Sequence, residues 1–105
     1  MSLNVNISDQ ACGAEIIGID LTNDLSDSQV SEIRDLWLEH HVLSFPYQRL
    51  NDDDLERFTL CFGSFGDDPF IAPIPGRENI IAVKRTADEN VPIFADNWHT
   101  DWSFQ

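Results

Sequence analysis

Positive charge is scarce in this chain: six Lys and Arg stand against 19 Asp and Glu, for a net charge of −13. Such a surface repels phosphate backbones and anionic lipid headgroups, whereas a nucleic-acid footprint is a basic patch. Nucleic acid and membrane are therefore set aside as partners. No apolar run in the sequence approaches the roughly 20 residues needed to cross a bilayer. The opening MSLNVNISDQ has no basic region followed by an apolar stretch, so no secretory signal is expected there. Cysteine is nearly lacking too. Cys12 and Cys61 show no paired spacing and, without an export signal, read as reduced thiols of a cytoplasmic protein. Repeats, low-complexity tracts and Gly/Ser-rich linkers are absent. What is present, 42% apolar residues over a length of 105, suits one small globular domain and is too short for two.

The pattern of side chains predicts an alternation of short strands and two helices. Residues 4–7 alternate polar and apolar, and residues 14–19, between Gly13 and Asp20, are rich in β-branched side chains. Ser26 has the chemistry of a helix N-cap, with Gln29 three residues on to complete a capping box. Val30, Ile33 and Trp37 follow at helical spacing, with Glu32, Arg34 and Asp35 facing outward, and this helix should end near His40 and His41. Residues 42–45 read as a buried strand stopped by Pro46. Asn51 is a second N-cap, followed by Asp52, Asp53 and Asp54, which suit the positive end of a helix dipole. Leu55, Phe58 and Phe62 make an apolar stripe, and Gly63 is placed to close the helix. Pro69, Pro73, Pro75 and Gly76 then mark a loop, residues 80–83 a further strand, and the last residues a terminal strand. The fold class expected from this order is α+β.

The terminal segment Asn97-Trp98-His99-Thr100-Asp101-Trp102-Ser103-Phe104-Gln105 carries the most chemistry. On a strand, residues two apart share a face, so His99 and Asp101 project side by side and can offer a nitrogen and an oxygen to one metal ion. Two histidines and one carboxylate on one face are the ligand set of non-haem Fe(II) oxygenases, and two of those three are here. A lone His-x-Asp triplet is weak evidence, and on spacing alone a surface pair, or a core histidine oriented by a carboxylate, is the commoner reading. Other polar groups have plainer roles. His40 and His41 ease the exposed carbonyls of a helix end. The run Asp52 to Asp54 lacks the glycine and closing glutamate of a calcium loop and reads as a solvated helix start. Trp37, Phe58 and Phe62 read as core. Cys61 has no basic or histidine neighbour in sequence to activate it as a nucleophile.

Taken in order, several segments resemble the taurine dioxygenase and 2,4-dichlorophenoxyacetate dioxygenase family of Fe(II)- and 2-oxoglutarate-dependent oxygenases. They are GAEIIGIDL at 13–21, Leu25-Ser26-Asp27, Val42-Leu43-Ser44-Phe45, Phe62-Gly63 and Asn97-Trp98-His99-Thr100-Asp101. The resemblance implies a double-stranded β-helix, a jelly-roll barrel, of which residues 1–105 with two flanking helices are the N-terminal part. It implies that His99 and Asp101 bind Fe(II), that 2-oxoglutarate is the cosubstrate, and that a small organic substrate is hydroxylated with O₂ as succinate and CO₂ are released. The distal histidine and the residues that bind the cosubstrate are then expected downstream of Gln105. Homo-oligomerisation is left open. One departure stands out: Pro46-Tyr47 occupies a place where relatives often carry Arg-Gly, with no functional reading.

The same resemblance bears on the substrate. Taurine dioxygenases hold the sulfonate with a histidine and a tyrosine after the second helix and an asparagine just before the metal motif, and Asp68, Ile71 and Ala95 align there by eye. A carboxylate at 68 beside Asp67 repels a sulfonate, and isoleucine and alanine side chains donate no hydrogen bond. Lys84 or Arg85 is placed to compensate, or is a solvated strand-end charge. A substrate other than taurine is expected, hydroxylated next to a polar or anionic group. The competing expectation is a non-catalytic acidic module that keeps the opening of the fold and never completes the metal site.

Overall fold

Val5 and Ile7 alternate with asparagines in the first strand, and Ile16 and Ile17 supply the β-branched side chains of the second. The computed structural model describes residues 3–66, 71–90 and 97–99. Two compact units divide the chain, Met1–Ser64 and Phe65–Gln105. In the first, the order is β1 (Asn4–Ile7), β2 (Ala14–Ile17), α1 (Asp27–His40), β3 (Leu43–Ser44) and α2 (Asp52–Leu60). The three strands form one sheet in the order β1-β2-β3. The hairpin β1/β2 is antiparallel and pairs Val5 with Ile16, whereas β2/β3 is parallel and pairs Ala14 with Leu43. The parallel pairing follows from the connection, because α1 carries the chain back to the edge from which β2 started. A small α+β unit results, as the sequence predicts.

Pleating sorts the sheet into two faces. Ala14 and Ile16 are buried, and Ile16 joins Ile19, Leu21 and Ile33 of α1 in the core. Glu15 is paired with Asn6 on one side and Ser44 on the other, which puts a polar row on the opposite face. Gly18 ends β2 at a φ of 88°, a left-handed conformation that glycine adopts without strain. The chain then turns, and the side-chain amide of Gln48 holds the turn in place. Its Nε2 donates to the Ile19 carbonyl at 2.8 Å, and its Oε1 accepts from the Leu21 amide at 3.0 Å.

Both helices begin as the sequence predicts. Ser26 accepts from the Gln29 amide at 3.2 Å, and the Gln29 side chain accepts from the Ser26 amide at 2.9 Å. Asn51 makes the same reciprocal exchange with Asp54, at 2.8 Å and 3.1 Å. Helix α1 ends at His40, with His41 in a left-handed conformation and its amide on the Trp37 carbonyl at 2.7 Å.

Four expectations need correction. The strand at 42–45 shrinks to Leu43–Ser44 and is only half-buried at Leu43, because among the described residues it is an edge strand paired with β2 alone; Val42 is 59% exposed. Helix α2 stops before Gly63, at Leu60, because Cys61 and Phe62 bond three residues back, to Phe58 and Thr59, and tighten the last turn. Trp37 is not core but 46% exposed, while Phe58 and Phe62 pack against the core. Residues 80–83 are irregular: the Ile80 carbonyl accepts from the Ile74 amide at 2.8 Å, but no ladder follows. Among the described residues no strand lies beyond Ser44, and Asn97 to His99 are bend and irregular backbone; Thr100 to Gln105 lie outside the described residues.

Candidate metal centre

The described part of the second unit is built from turns. Pro75 and Gly76 sit at a turn in which the Arg77 amide donates to the Ile74 carbonyl at 3.2 Å, with Gly76 at a φ of 81°. A second turn joins the Glu89 amide to the Thr86 carbonyl at 3.2 Å. The Thr86 hydroxyl donates to Asp88 at 2.7 Å, which holds that exposed carboxyl below the usual carboxylate range.

His99 is exposed, and its ring has a defined partner. Nδ1 lies 2.7 Å from the backbone carbonyl oxygen of Asn97. A carbonyl only accepts, so Nδ1 carries the proton of that bond, and in the neutral ring the lone pair is on Nε2. A neutral imidazole whose other nitrogen donates to a backbone carbonyl is the usual form of a metal-binding histidine. The donor chemistry therefore fits an iron ion at Nε2. Asp101, the second candidate ligand, lies outside the described residues. Among the described residues, no group of three His, Cys, Asp or Glu is placed to hold a metal ion.

The candidate substrate positions divide similarly. Ile71 is half-buried beside the loop of prolines, while Asp68 and Ala95, with Asp67, lie outside the described residues. Lys84 and Arg85 are exposed on irregular backbone, not at a strand end, and Arg85 Nη2 donates to the Glu89 carbonyl at 3.2 Å.

Several other titratable groups have structural partners. Asp54, read from sequence as a solvated helix start, is buried, and it receives Arg57 Nη2 at 2.8 Å as well as the Asn51 amide. Cys61 is half-buried with Sγ 3.4 Å from the Arg57 carbonyl, and both it and the exposed Cys12 are free thiols. His40 Nε2 approaches Glu39 at 3.7 Å at the end of α1, in keeping with a role at the helix terminus. Within the first unit, Ile33, Trp37, Leu43, Phe45, Phe58 and Phe62 line an apolar groove of about 290 Å³. Phe58 meets Phe45 and Phe62 edge-on, at centroid distances of 5.5 Å and 5.2 Å. The feature that sequence reasoning missed at the candidate centre is the Asn97 carbonyl, because a backbone acceptor leaves no signal in residue type.

Comparison with known proteins converges on one group. Residues 5–105 match the model of the taurine catabolism dioxygenase TauD, TfdA family. An alkylsulfatase of Acinetobacter baylyi is 39% identical over 93 residues, covering 88% of this chain and 28% of that protein. Pentalenolactone F synthase of Streptomyces avermitilis is 32% identical over 107 aligned positions, covering 94% of this chain and 35% of that one. The chain thus spans roughly a third of the length of these curated relatives. Among solved structures, a taurine dioxygenase from Burkholderia xenovorans superposes with a TM-score of 0.66 at 31% identity, over 74% of this chain and 28% of that one. The family match runs through every strand and helix described above and on through the segment bearing His99 and Asp101, and on that ground the chain belongs to the TauD/TfdA family of iron- and 2-oxoglutarate-dependent dioxygenases.

Proposed function

We propose that residues 1–105 are the N-terminal part of a jelly-roll oxygenase domain that hydroxylates a small organic substrate in the cytoplasm, and that His99 and Asp101 are two of its three protein ligands to Fe(II). The observation that carries this reading is the family match across residues 5–105, which includes the His99-Thr100-Asp101 triplet. The contact of His99 Nδ1 with the Asn97 carbonyl oxygen at 2.7 Å is in keeping with it, since metal-binding histidines commonly donate one ring nitrogen to a backbone carbonyl. When bound, the iron supplies the coupled chemistry in which 2-oxoglutarate and O₂ become succinate and CO₂ while a substrate C–H becomes C–OH. The chain's own part is to present an imidazole nitrogen and a carboxylate oxygen from one short segment. The remaining ligand and the residues that bind the cosubstrate are supplied by the rest of the domain.

The substrate is a small molecule other than taurine. Asp68, Ile71 and Ala95 stand at the three positions aligned with a sulfonate grip, and they bring one negative charge and no side-chain donor. The relative named an alkylsulfatase makes alkyl sulfates one class to be tested. Oxoglutarate-coupled O₂ uptake by the full-length protein, measured across sulfonates, aryloxy acids, amino acids and alkyl sulfates, tests this directly. Turnover is expected with one of these classes and to be poor with taurine. Taurine emerging as the best substrate contradicts the assignment of the three positions.

A further inference from the structure

We infer that the apolar groove of the first unit and the open edge of β3 beside it are one seat, filled by a β-strand from the chain that follows Gln105 in the whole domain. The inference rests on the reading of residues 1–105 as the N-terminal part of that domain.

Ala14 is paired with Leu43, and its amide donates to the Val42 carbonyl at 2.9 Å. In a parallel ladder a residue bonds to the two neighbours of its partner, so the amide and carbonyl of Leu43 itself turn away from β2. Among the described residues no strand lies on that side. Bare edges of this kind are ordinarily paired or covered. The Leu43 side chain shares a face with the buried Ala14, and it lines the groove together with Ile33, Trp37, Phe45, Phe58 and Phe62. Residues paired across a sheet share a face, so a strand added at this edge puts the side chain opposite Leu43 into the groove. Its next side chain stands beside Ser44, in the polar row with Glu15 and Asn6. The occupant is therefore a strand with a large apolar residue inward and polar neighbours outward.

Two other occupants fit this surface less well. A small molecule needs convergent polar groups to orient it, yet no charged side chain lines the groove, and the Thr59 hydroxyl is committed to the Leu55 carbonyl at 2.8 Å. A second copy brings a net charge of −13 against the same charge. The chain spans 28% and 35% of two relatives, so most of such a domain lies outside it. Ile33, at the groove, is 2% exposed and belongs to the core, so filling the seat extends a core already present.

Full-length protein with p-benzoylphenylalanine in place of Trp37, irradiated and digested, names the occupant by the peptide it captures. Hydrogen exchange of the natural full-length protein reads the edge. Capture of a peptide beyond Gln105 in the same chain is expected, with the Leu43 amide exchanging as slowly as the amides of β2. Capture confined to residues 1–105, or a Leu43 amide that exchanges at the unprotected rate, overturns the inference. So does capture between copies, recognised as hybrid peptides when ¹⁴N and ¹⁵N protein are mixed. Succinate formation from 2-oxoglutarate, measured on the same preparation, keeps the two readings apart. An open edge in a protein that forms succinate overturns the seat alone, whereas a filled seat in a protein that forms none overturns the oxygenase reading alone.

Discussion

Arg57 and Asp54 form an ion pair at 2.8 Å within one turn of α2, and the same Nη2 donates to the Thr22 carbonyl at 2.6 Å. The guanidinium thereby ties α2 to the turn that follows β2, and its Nε reaches Asp24 at 3.3 Å. Asp54 is buried and is also half of the capping box that starts the helix. Arg57→Ala removes the cation from that carboxylate, which keeps the Asn51 amide, and should destabilise the fold by roughly 1–3 kcal/mol. Equilibrium denaturation of the variant measures this; a loss below a few tenths of a kcal/mol would show the tie to be incidental.

Backbone strain gives a second expectation. Tyr47 sits at a φ of 63° with 90% of its surface exposed. The left-handed conformation costs a non-glycine residue about 1–2 kcal/mol, and glycine gives part of that back as unfolded-chain entropy. Tyr47→Gly should therefore raise stability by up to about 1 kcal/mol. Gly18→Ala should do the reverse by about 1–2 kcal/mol, because a Cβ there adopts the same strained region and meets Asn4 Nδ2 at 3.3 Å. Thermal denaturation of both variants separates the two signs.

Core packing predicts the largest effects. Ile16 is fully buried and Ile33 is 2% exposed, each in the contact between β2 and α1. Either one changed to alanine should cost about 2–5 kcal/mol, and the mild Ile33→Val about 0.5–1.5 kcal/mol. Matching losses for Ile33→Val and Ile33→Ala in chemical denaturation would contradict this packing.

The acid limb of stability has a named contributor. The Asp20 carboxyl is held below the usual carboxylate range by the Thr22 hydroxyl at 2.6 Å and the Thr22 amide at 2.9 Å. Its folded-state value lies below the unfolded one, so the stabilisation is present above the unfolded value, about 3.9, and is lost as pH falls through the folded value. Asp20→Asn should be relatively more acid-tolerant than the natural chain below about pH 4 and lower in stability near neutrality. A stability–pH curve for the variant that merely shifts in parallel would remove Asp20 from the account.

What was legible in the sequence was local. Ser26 with Gln29 and Asn51 announce helix starts because a cap needs only its own first turn. Strand β1 is written in alternation and β2 in β-branched content, though their pairing is not. Nor is the register of β3, since Leu43 and Ser44 are fixed by pairing with Ala14 and Glu15 nearly 30 positions earlier. The early end of α2 and the exposure of Trp37 escape for the same reason: both depend on what packs alongside. At the candidate centre the residue types of His99 and Asp101 were legible, whereas the carbonyl behind His99 was not. Asp54 shows the limit of reading charge as solvation, because its partner Arg57 becomes visible only once the helix is built.

The most direct test of the central claim is succinate formation from 2-oxoglutarate by the full-length protein with Fe(II) and O₂. The natural protein is expected to form succinate, and His99→Ala and Asp101→Ala are each expected to reduce it to background while circular dichroism and the denaturation midpoint stay close to those of the parent. Either variant decarboxylating 2-oxoglutarate at the natural rate would contradict the assignment of His99 and Asp101 to the metal.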